Sequence, residues 1–220
     1  MLTAGPALRL VEPQLPQRLA YDGFVSDAAT LPDLSSLKGR EIVVGVGGGI
    51  ACYKVCDVVS KLAQAGCGVT VAMTDAAQKF VTPLTFEALT QRPVHVGIWN
   101  QVDAADTQHI KLTEKADLLL VAPATMHLIC KCAAGLCDDV VSLLVAASAC
   151  PILMAPSMND RMWANPATTE AVEKLKSRGV SFVGPDSGWL ACRNLGAGRL
   201  SETSDILASV KVHFEQARNS

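Results

Sequence analysis

The chain is poor in aromatic residues, at 5%, too few for the row of stacking side chains that single-stranded nucleic acid requires. It also lacks an excess of charge of one sign: 19 Lys and Arg stand against 21 Asp and Glu, a formal charge of −2. No sequence-independent grip on nucleic acid or on an anionic lipid surface is expected from that balance. No run approaches the roughly 18 apolar residues of a membrane span, and no charged-then-apolar leader opens the sequence. Charged residues are scarce too, at 18%, whereas hydrophobic residues reach 50% of the 220. A largely disordered chain is excluded, and a sizeable core can be buried.

What is abundant is Ala, Val and Leu, the residues of buried parallel strands and their covering helices. Eight cysteines, at 52, 56, 67, 130, 132, 137, 150 and 192, lie mostly inside apolar runs. In a chain of this size they read as reduced core residues in a cytoplasmic protein, not as a disulfide framework. Cys52 with Cys56 lacks further ligands, and Cys130 with Cys132 lacks the usual two-residue spacer; no metal site is expected.

Residues 1–38 hold four of the eleven prolines and show no apolar period, so they are expected to form a flexible amino-terminal arm ahead of one domain, 39–220. From there the pattern is regular. Short apolar runs at Glu41–Gly47, Val69–Thr74, Asp117–Ala122, Pro151–Ala155 and Val180–Val183 predict strands. Helical patterns run from Ile50 to about Ala65 and over 125–134, 138–148, 166–178 and 203–217. This alternation predicts an α/β fold: an open, mostly parallel sheet with helices on both faces.

The unusual residues follow strand ends. Gly47-Gly48-Gly49 follows the first, Thr74-Asp75 the second, Ala122-Pro123-Ala124-Thr125 the third and Pro156-Ser157-Met158-Asn159 the fourth. In a parallel sheet all these ends meet at one edge, where ligands bind. Gly48 and Gly49 ahead of a helix make a plausible phosphate seat. Ile50 stands where a dinucleotide fingerprint needs its third glycine, and no glycine directly precedes Lys54 as in a P-loop. A mononucleotide such as FMN fits better.

The segments GVGGGIACYK (45–54), VAMTDAAQKFVTPLTFEALT (71–90), HIKLTEKADLLLVAPAT (109–125), KCAAGLCDDVVS (131–142), APSMNDRMWANPAT (155–168) and GPDSGWLACRNLGAGRL (184–200) resemble, in order, the flavin-dependent cysteine decarboxylase family. The Pro-x-Met-Asn-x-x-Met-Trp element and the Ala-Cys loop are the specific signals. The likeness is greatest to the family's coenzyme A branch. It implies FMN-dependent decarboxylation of 4′-phosphopantothenoylcysteine to 4′-phosphopantetheine by thiol oxidation, CO2 loss and re-reduction. It also implies a homo-oligomer, a trimer or a dodecamer built from trimers.

By resemblance, Gly48, Gly49 and Thr74 belong to the flavin-phosphate side, and Thr125, Met126, His127 and Leu128 to a turn wrapped around FMN. Met158 lies beside the flavin, and Asn159 holds the substrate carboxylate with Leu190 and Ala191 in the substrate loop. His109 is the implied active-site histidine and Cys192 the late proton donor. Plainer readings exist: His109 as a surface histidine before a strand, Asn159 as a helix cap, Cys192 as a small buried residue. Gly184, Gly188, Gly196 and Gly198 around Cys192 suggest instead a mobile flap. Met162 and Trp163 are expected to serve packing. Two positions depart from the family: His127 stands where Asn or Asp is usual, and Arg193 where glycine follows the cysteine. Two other functions fit the same residues less well. An oxidative peptidyl-cysteine decarboxylase commonly lacks the loop cysteine, and a non-catalytic regulatory flavoprotein needs none of His109, Asn159 and Cys192.

Overall fold

Five parallel strands in the order β2-β1-β3-β4-β5 form the sheet of the computed structural model, which describes residues 31–98 and 108–217. The strands are β1 (Glu41–Val46), β2 (Gly68–Met73), β3 (Leu118–Ala124), β4 (Ile152–Pro156) and β5 (Ser181–Phe182). Each expected strand is present, although β5 is only two residues long. Both faces of β1 are buried: Ile42, Val44 and Val46 point into one core and Val43 into the other. That is the period of two along a strand covered on both sides, and it explains the unbroken apolar runs.

One face carries α1 (Cys52–Gln64) and α8 (Thr203–Ala217), joined by Phe86 of α2 (Pro83–Thr90). The other carries α4 (Met126–Ala134), α5 (Val140–Ala147) and α7 (Pro166–Ser177), with Leu112 of α3 (Gln108–Lys115) packed against them. A short α6 (Asp160–Trp163) follows β4. Three helices, α2, α3 and the short α6, fall outside the predicted helical patterns. Pro83 at the first position starts α2, with Thr82 extended ahead of it, and α3 lies directly ahead of β3. Of the anticipated arm, residues 1–30 lie outside the described residues; Ser35–Leu37 forms a 3-10 turn, and the Leu37 side chain is fully buried.

Beyond β5 a second sheet appears, an antiparallel hairpin of β6 (Asp186–Trp189) and β7 (Leu195–Arg199). Its sequence, DSGW and LGAGR, has no β-branched run, so nothing in its composition announces a strand.

The strand order reverses between β1 and β3, which places a crevice outside their carboxyl ends. The chains approach closely there. A Cβ on Gly47 would stand 2.3 Å from the Pro123 carbonyl oxygen, so only glycine allows this contact. Pro123 has no N–H for the ladder, and the β3–β4 register shifts between Val121 and Ala124. No described helix is long and apolar enough to cross a membrane.

Candidate functional site

A cavity of about 620 Å³ opens at this edge, within the range of about 300–1,000 Å³ usual for small ligands and cofactors. Gly48 and Gly49 line it after β1, Thr125 and His127 after β3, and Met158 and Asn159 after β4. Leu190, Ala191 and Cys192 close it from the hairpin. Nine of the expected site residues, drawn from segments up to 144 positions apart (192 − 48), therefore share one space.

Thr125 caps α4, its Oγ1 accepting the Leu128 N–H at 3.3 Å. Helical geometry then turns His127 toward the cavity and Leu128 into the core, where it is 1% exposed. Met126 and Leu128 do not line the cavity. A contiguous wrapping turn was expected; a helix of 3.6 residues per turn presents only one face. Thr74 is also off the cavity. Its Oγ1 donates to the Val46 carbonyl at 3.4 Å and accepts the Ala77 N–H at 3.2 Å, bracing the ends of β1 and β2. It borders a separate space of about 220 Å³. His109 falls in α3, and its side chain lies outside the described residues.

Asn159 is a cap as well as a cavity residue. Its Oδ1 accepts the Arg161 N–H at 2.9 Å at the start of α6. Because only the oxygen can accept, the cap fixes which way the amide lies. Nδ2 then donates to Cys192 Sγ at 3.2 Å. Cys192 is exposed at the hairpin tip and not buried. The tip closes by Arg193 N–H to Leu190 O, 2.9 Å, and Leu190 N–H to Asn194 O, 2.9 Å. Arg193 has φ 64°, the left-handed region that favours glycine. The departure from the expected glycine thus occurs at a position whose backbone suits glycine best.

The hairpin glycines do not mark a free flap. Gly198, at φ 134°, lets β7 press against the turn after β4: a Cβ there would stand 2.3 Å from the Met158 carbonyl oxygen. The Met158 N–H donates to the Gly198 carbonyl at 2.8 Å.

Sequence reasoning missed part of the lining. Tyr53 and Lys54 contribute from α1, Ser157 from the turn after β4, and Trp189 and Arg199 from the hairpin. Met162, expected to pack, also lines the cavity, whereas Trp163 packs against the core as anticipated. Lys54 could have been read one helical turn beyond the glycines; Arg199 had no signal without the hairpin. Among the described lining residues there is no Asp or Glu; Lys54 and Arg199 are cationic, but Arg199 is in an ion pair with Glu202, so the space favours an anionic ligand chiefly on the Lys54 side. Of the other cysteines, Cys137 is exposed, whereas Cys52, Cys67 and Cys132 are buried; burial pushes the Cys132 thiol up to about 12 and Cys67 to about 11, which keeps these two protonated and unreactive. All eight are free. No group of three or more potential metal ligands occurs among the described residues.

Comparison with known proteins places this geometry in a family. The Flavoprotein family profile matches residues 31–215, and the chain belongs to that family. It is 42% identical over 178 residues to the coenzyme A biosynthesis bifunctional protein CoaBC of Mycolicibacterium smegmatis, covering 81% of this chain and 42% of that relative. The chain thus spans less than half the length of that relative. A solved structure of a cysteine-to-serine mutant of PPC decarboxylase, complexed with pantothenoylaminoethenethiol, superposes with a TM-score of 0.72 at 25% identity. The match covers 81% of this chain and all of that one (100%). The FMN-dependent cysteine decarboxylase SpaF is similar at a TM-score of 0.70 and 28% identity, covering 83% of this chain and 99% of that one.

Proposed function

We propose that the chain is an FMN-dependent decarboxylase that converts 4′-phosphopantothenoylcysteine to 4′-phosphopantetheine in coenzyme A biosynthesis. The observation that carries this reading is the meeting of Asn159, Met158, the glycine turn and Cys192 in one cavity, with Asn159 Nδ2 bonded to Cys192 Sγ. The names and shared fold of the relatives support it.

The residues present suit a flavin mononucleotide. Gly48 and Gly49 lie at the entry to α1, where backbone N–H groups and the helix dipole favour a phosphate. Thr125, His127 and Met158 offer a mixed wall for a flat ring, and Thr74 braces the turn beside it. When bound, the flavin supplies the acceptor and later the donor of a hydride, which an unactivated cysteinyl carboxylate needs before it can lose CO2.

The protein's part is to bind, orient and move protons. Asn159 donates an N–H to the substrate carboxylate. A neutral amide suits this task, because an arginine would stabilise the ground-state carboxylate that must be lost. Lys54 offsets the charge of a phosphorylated substrate, and Arg199, paired with Glu202, borders it. Leu190 and Ala191 shield the reacting carbon from water, and Cys192 delivers a proton to it. His109, in α3, handles proton changes on the substrate at working pH. Exposed Ile50, Tyr53 and Met162 at the rim leave apolar surface for a homo-oligomer, read as a trimer or dodecamer, to cover. Reduced cysteines favour the cytoplasm.

The test is anaerobic. Purified protein should be yellow, should release FMN on denaturation, and should convert 4′-phosphopantothenoylcysteine to 4′-phosphopantetheine as followed by mass. A protein that cannot take up FMN removes the reading, and one that stops at the enethiol favours oxidative peptidyl-cysteine decarboxylation instead.

A further inference from the structure

The hydrogen bond between Asn159 and Cys192 joins two groups that the reaction uses at different times. The amide of Asn159 has one acceptor and two donors. Oδ1 is taken by Arg161 N–H at 2.9 Å, and one Nδ2 proton by Cys192 Sγ at 3.2 Å. One donor remains for a ligand carboxylate. The same turn is tied to the other strand of the hairpin that carries Cys192: Met158 N–H to Gly198 O at 2.8 Å. A Cβ on Gly196 would come within 2.8 Å of Asp160 Cβ, so α6 and β7 sit in close contact there too. The hairpin is docked on the turn at residues 158 and 160, on either side of Asn159.

We propose that Asn159 positions Cys192 as well as binding the carboxylate, so that the anchor of the departing CO2 and the donor to the carbon it leaves form one hydrogen-bonded unit. The inference rests on the decarboxylase reading above. Loss of CO2 from the oxidised substrate leaves an enethiolate. The Cys192 S–H bond breaks and a C–H bond forms at the carbon that carried the carboxylate, giving a thioaldehyde. The thiocarbonyl carbon would take back the hydride that a flavin held beside Gly48, Gly49 and Met158 supplies, and the product thiolate and the Cys192 thiolate would each take a proton from water. The carbon that needs the proton is the one the carboxylate just left. A residue that holds both the carboxylate and the donor therefore sets their separation before chemistry begins.

Asn159→Ser separates the two roles. Serine caps a helix about as well as asparagine, and its hydroxyl can still donate to a carboxylate, but it is too short to reach Cys192. In an anaerobic single turnover of the holoenzyme, the ratio of enethiol to saturated thiol should rise at least about tenfold over wild type, even if decarboxylation itself slows. A wild-type ratio from the variant overturns the proposal, since a residue that only binds carboxylate slows turnover without redirecting the product. The second measurement needs no substrate: peptide-resolved alkylation of Cys192 by iodoacetamide, with exposed Cys137 as internal control. The Asn159 N–H lies on the sulfur at 3.2 Å, so removing it changes the surroundings of the thiol, and the Cys192 rate in the variant should differ about threefold from wild type while Cys137 is unchanged. Equal rates at Cys192 overturn the proposal whatever the substrate is. A wild-type holoenzyme that yields neither product defeats the decarboxylase reading, and the alkylation rates still decide whether Asn159 holds Cys192.

Discussion

The two edges of the main sheet are built from different chemistry. At the amino edge, charges are closed on one another. Arg40 pairs with Asp117 at 3.1 Å, Asp117 also accepts the Glu41 N–H at 2.8 Å, and Arg92 grips Glu41 through two bonds of 2.6 and 3.0 Å. The Arg40 guanidinium further lies 5.1 Å from the Phe214 ring centroid. At the carboxyl edge the main cavity has no acidic lining, a left-handed Arg193, and exposed Ile50, Tyr53 and Trp189. One edge fixes where strands begin; the other is lined by exposed apolar groups around a cavity without acids. Substitutions at the carboxyl edge should therefore change chemistry more than stability, and those at the amino edge the reverse.

The largest expected effect tests the first half of that statement. Asn159→Asp keeps the cap on Arg161 N–H, since aspartate caps as well as asparagine, but puts a negative charge beside the substrate carboxylate. Turnover should fall about 100- to 1,000-fold, the loss typical of one well-placed donor, with flavin retained and the melting temperature nearly unchanged. Near-normal turnover would make Asn159 a cap alone; a large stability loss would break the contrast between the edges.

Lys131→Met addresses an exception. Lys131 is 9% exposed and bonds Asp138 and Asp139 at 2.6 Å each, the two acids that border the smaller cavity at the carboxyl edge. Burial pulls its ammonium down, but the hydrogen bonds it donates to the two carboxylates, with their negative charge, outweigh burial and hold it above its ordinary value. Losing it should cost about 1–3 kcal/mol, the worth of charge-assisted hydrogen bonds, read from urea midpoints. A loss below that range would mean that the Asp139 capping box of α5 holds this loop without the lysine.

Smaller still is the amino edge itself. Arg92 and Glu41 are both more than a third exposed, so Arg92→Gln should cost less than about 1 kcal/mol and leave turnover intact. Its signature is in the pH dependence. Hydrogen bonds from Arg92 hold the Glu41 carboxyl below its usual value. That contribution is complete above the unfolded carboxylate value and is lost as pH falls through the lowered folded one. Half-buried His95 is held low by burial, as is His213, so the folded state prefers both neutral. Their contribution is full above roughly pH 6.5 and is lost as pH drops below it. Stability should thus decline in two stages on acidification. His95→Gln should shrink the first stage and Arg92→Gln the second, as measured by denaturant midpoints at each pH; a single unaltered limb in both variants would erase the distinction.

Much of the site was legible because strand ends in a parallel sheet share an edge: the glycines after β1, Thr125 after β3 and Asn159 after β4 were marked by position alone. Position failed where facing mattered. Met126, His127 and Leu128 are consecutive, yet a cap at Thr125 starts a helix that turns only His127 to the cavity. Thr74 follows a strand as the others do, but its hydroxyl is spent on Val46 and Ala77. The hairpin was illegible because glycine-rich strands carry no apolar alternation, and Arg199 was hidden with it.

Local pattern by itself determined the layered α/β class and the strands, because side-chain period and apolar runs act within a few residues. Contacts distant in the chain were left to the tertiary structure. Arg92 meets Glu41 across 51 positions, and Asn159 meets Cys192 across 33; neither partner's neighbours mark the pairing. Gly198 serves a carbonyl at Met158, and whether Cys192 is a core residue or a reactive thiol depends on the tip of a hairpin docked against that turn. Such contacts depend on how separate elements pack, and a single side chain's identity does not encode which surface another element will bring to it.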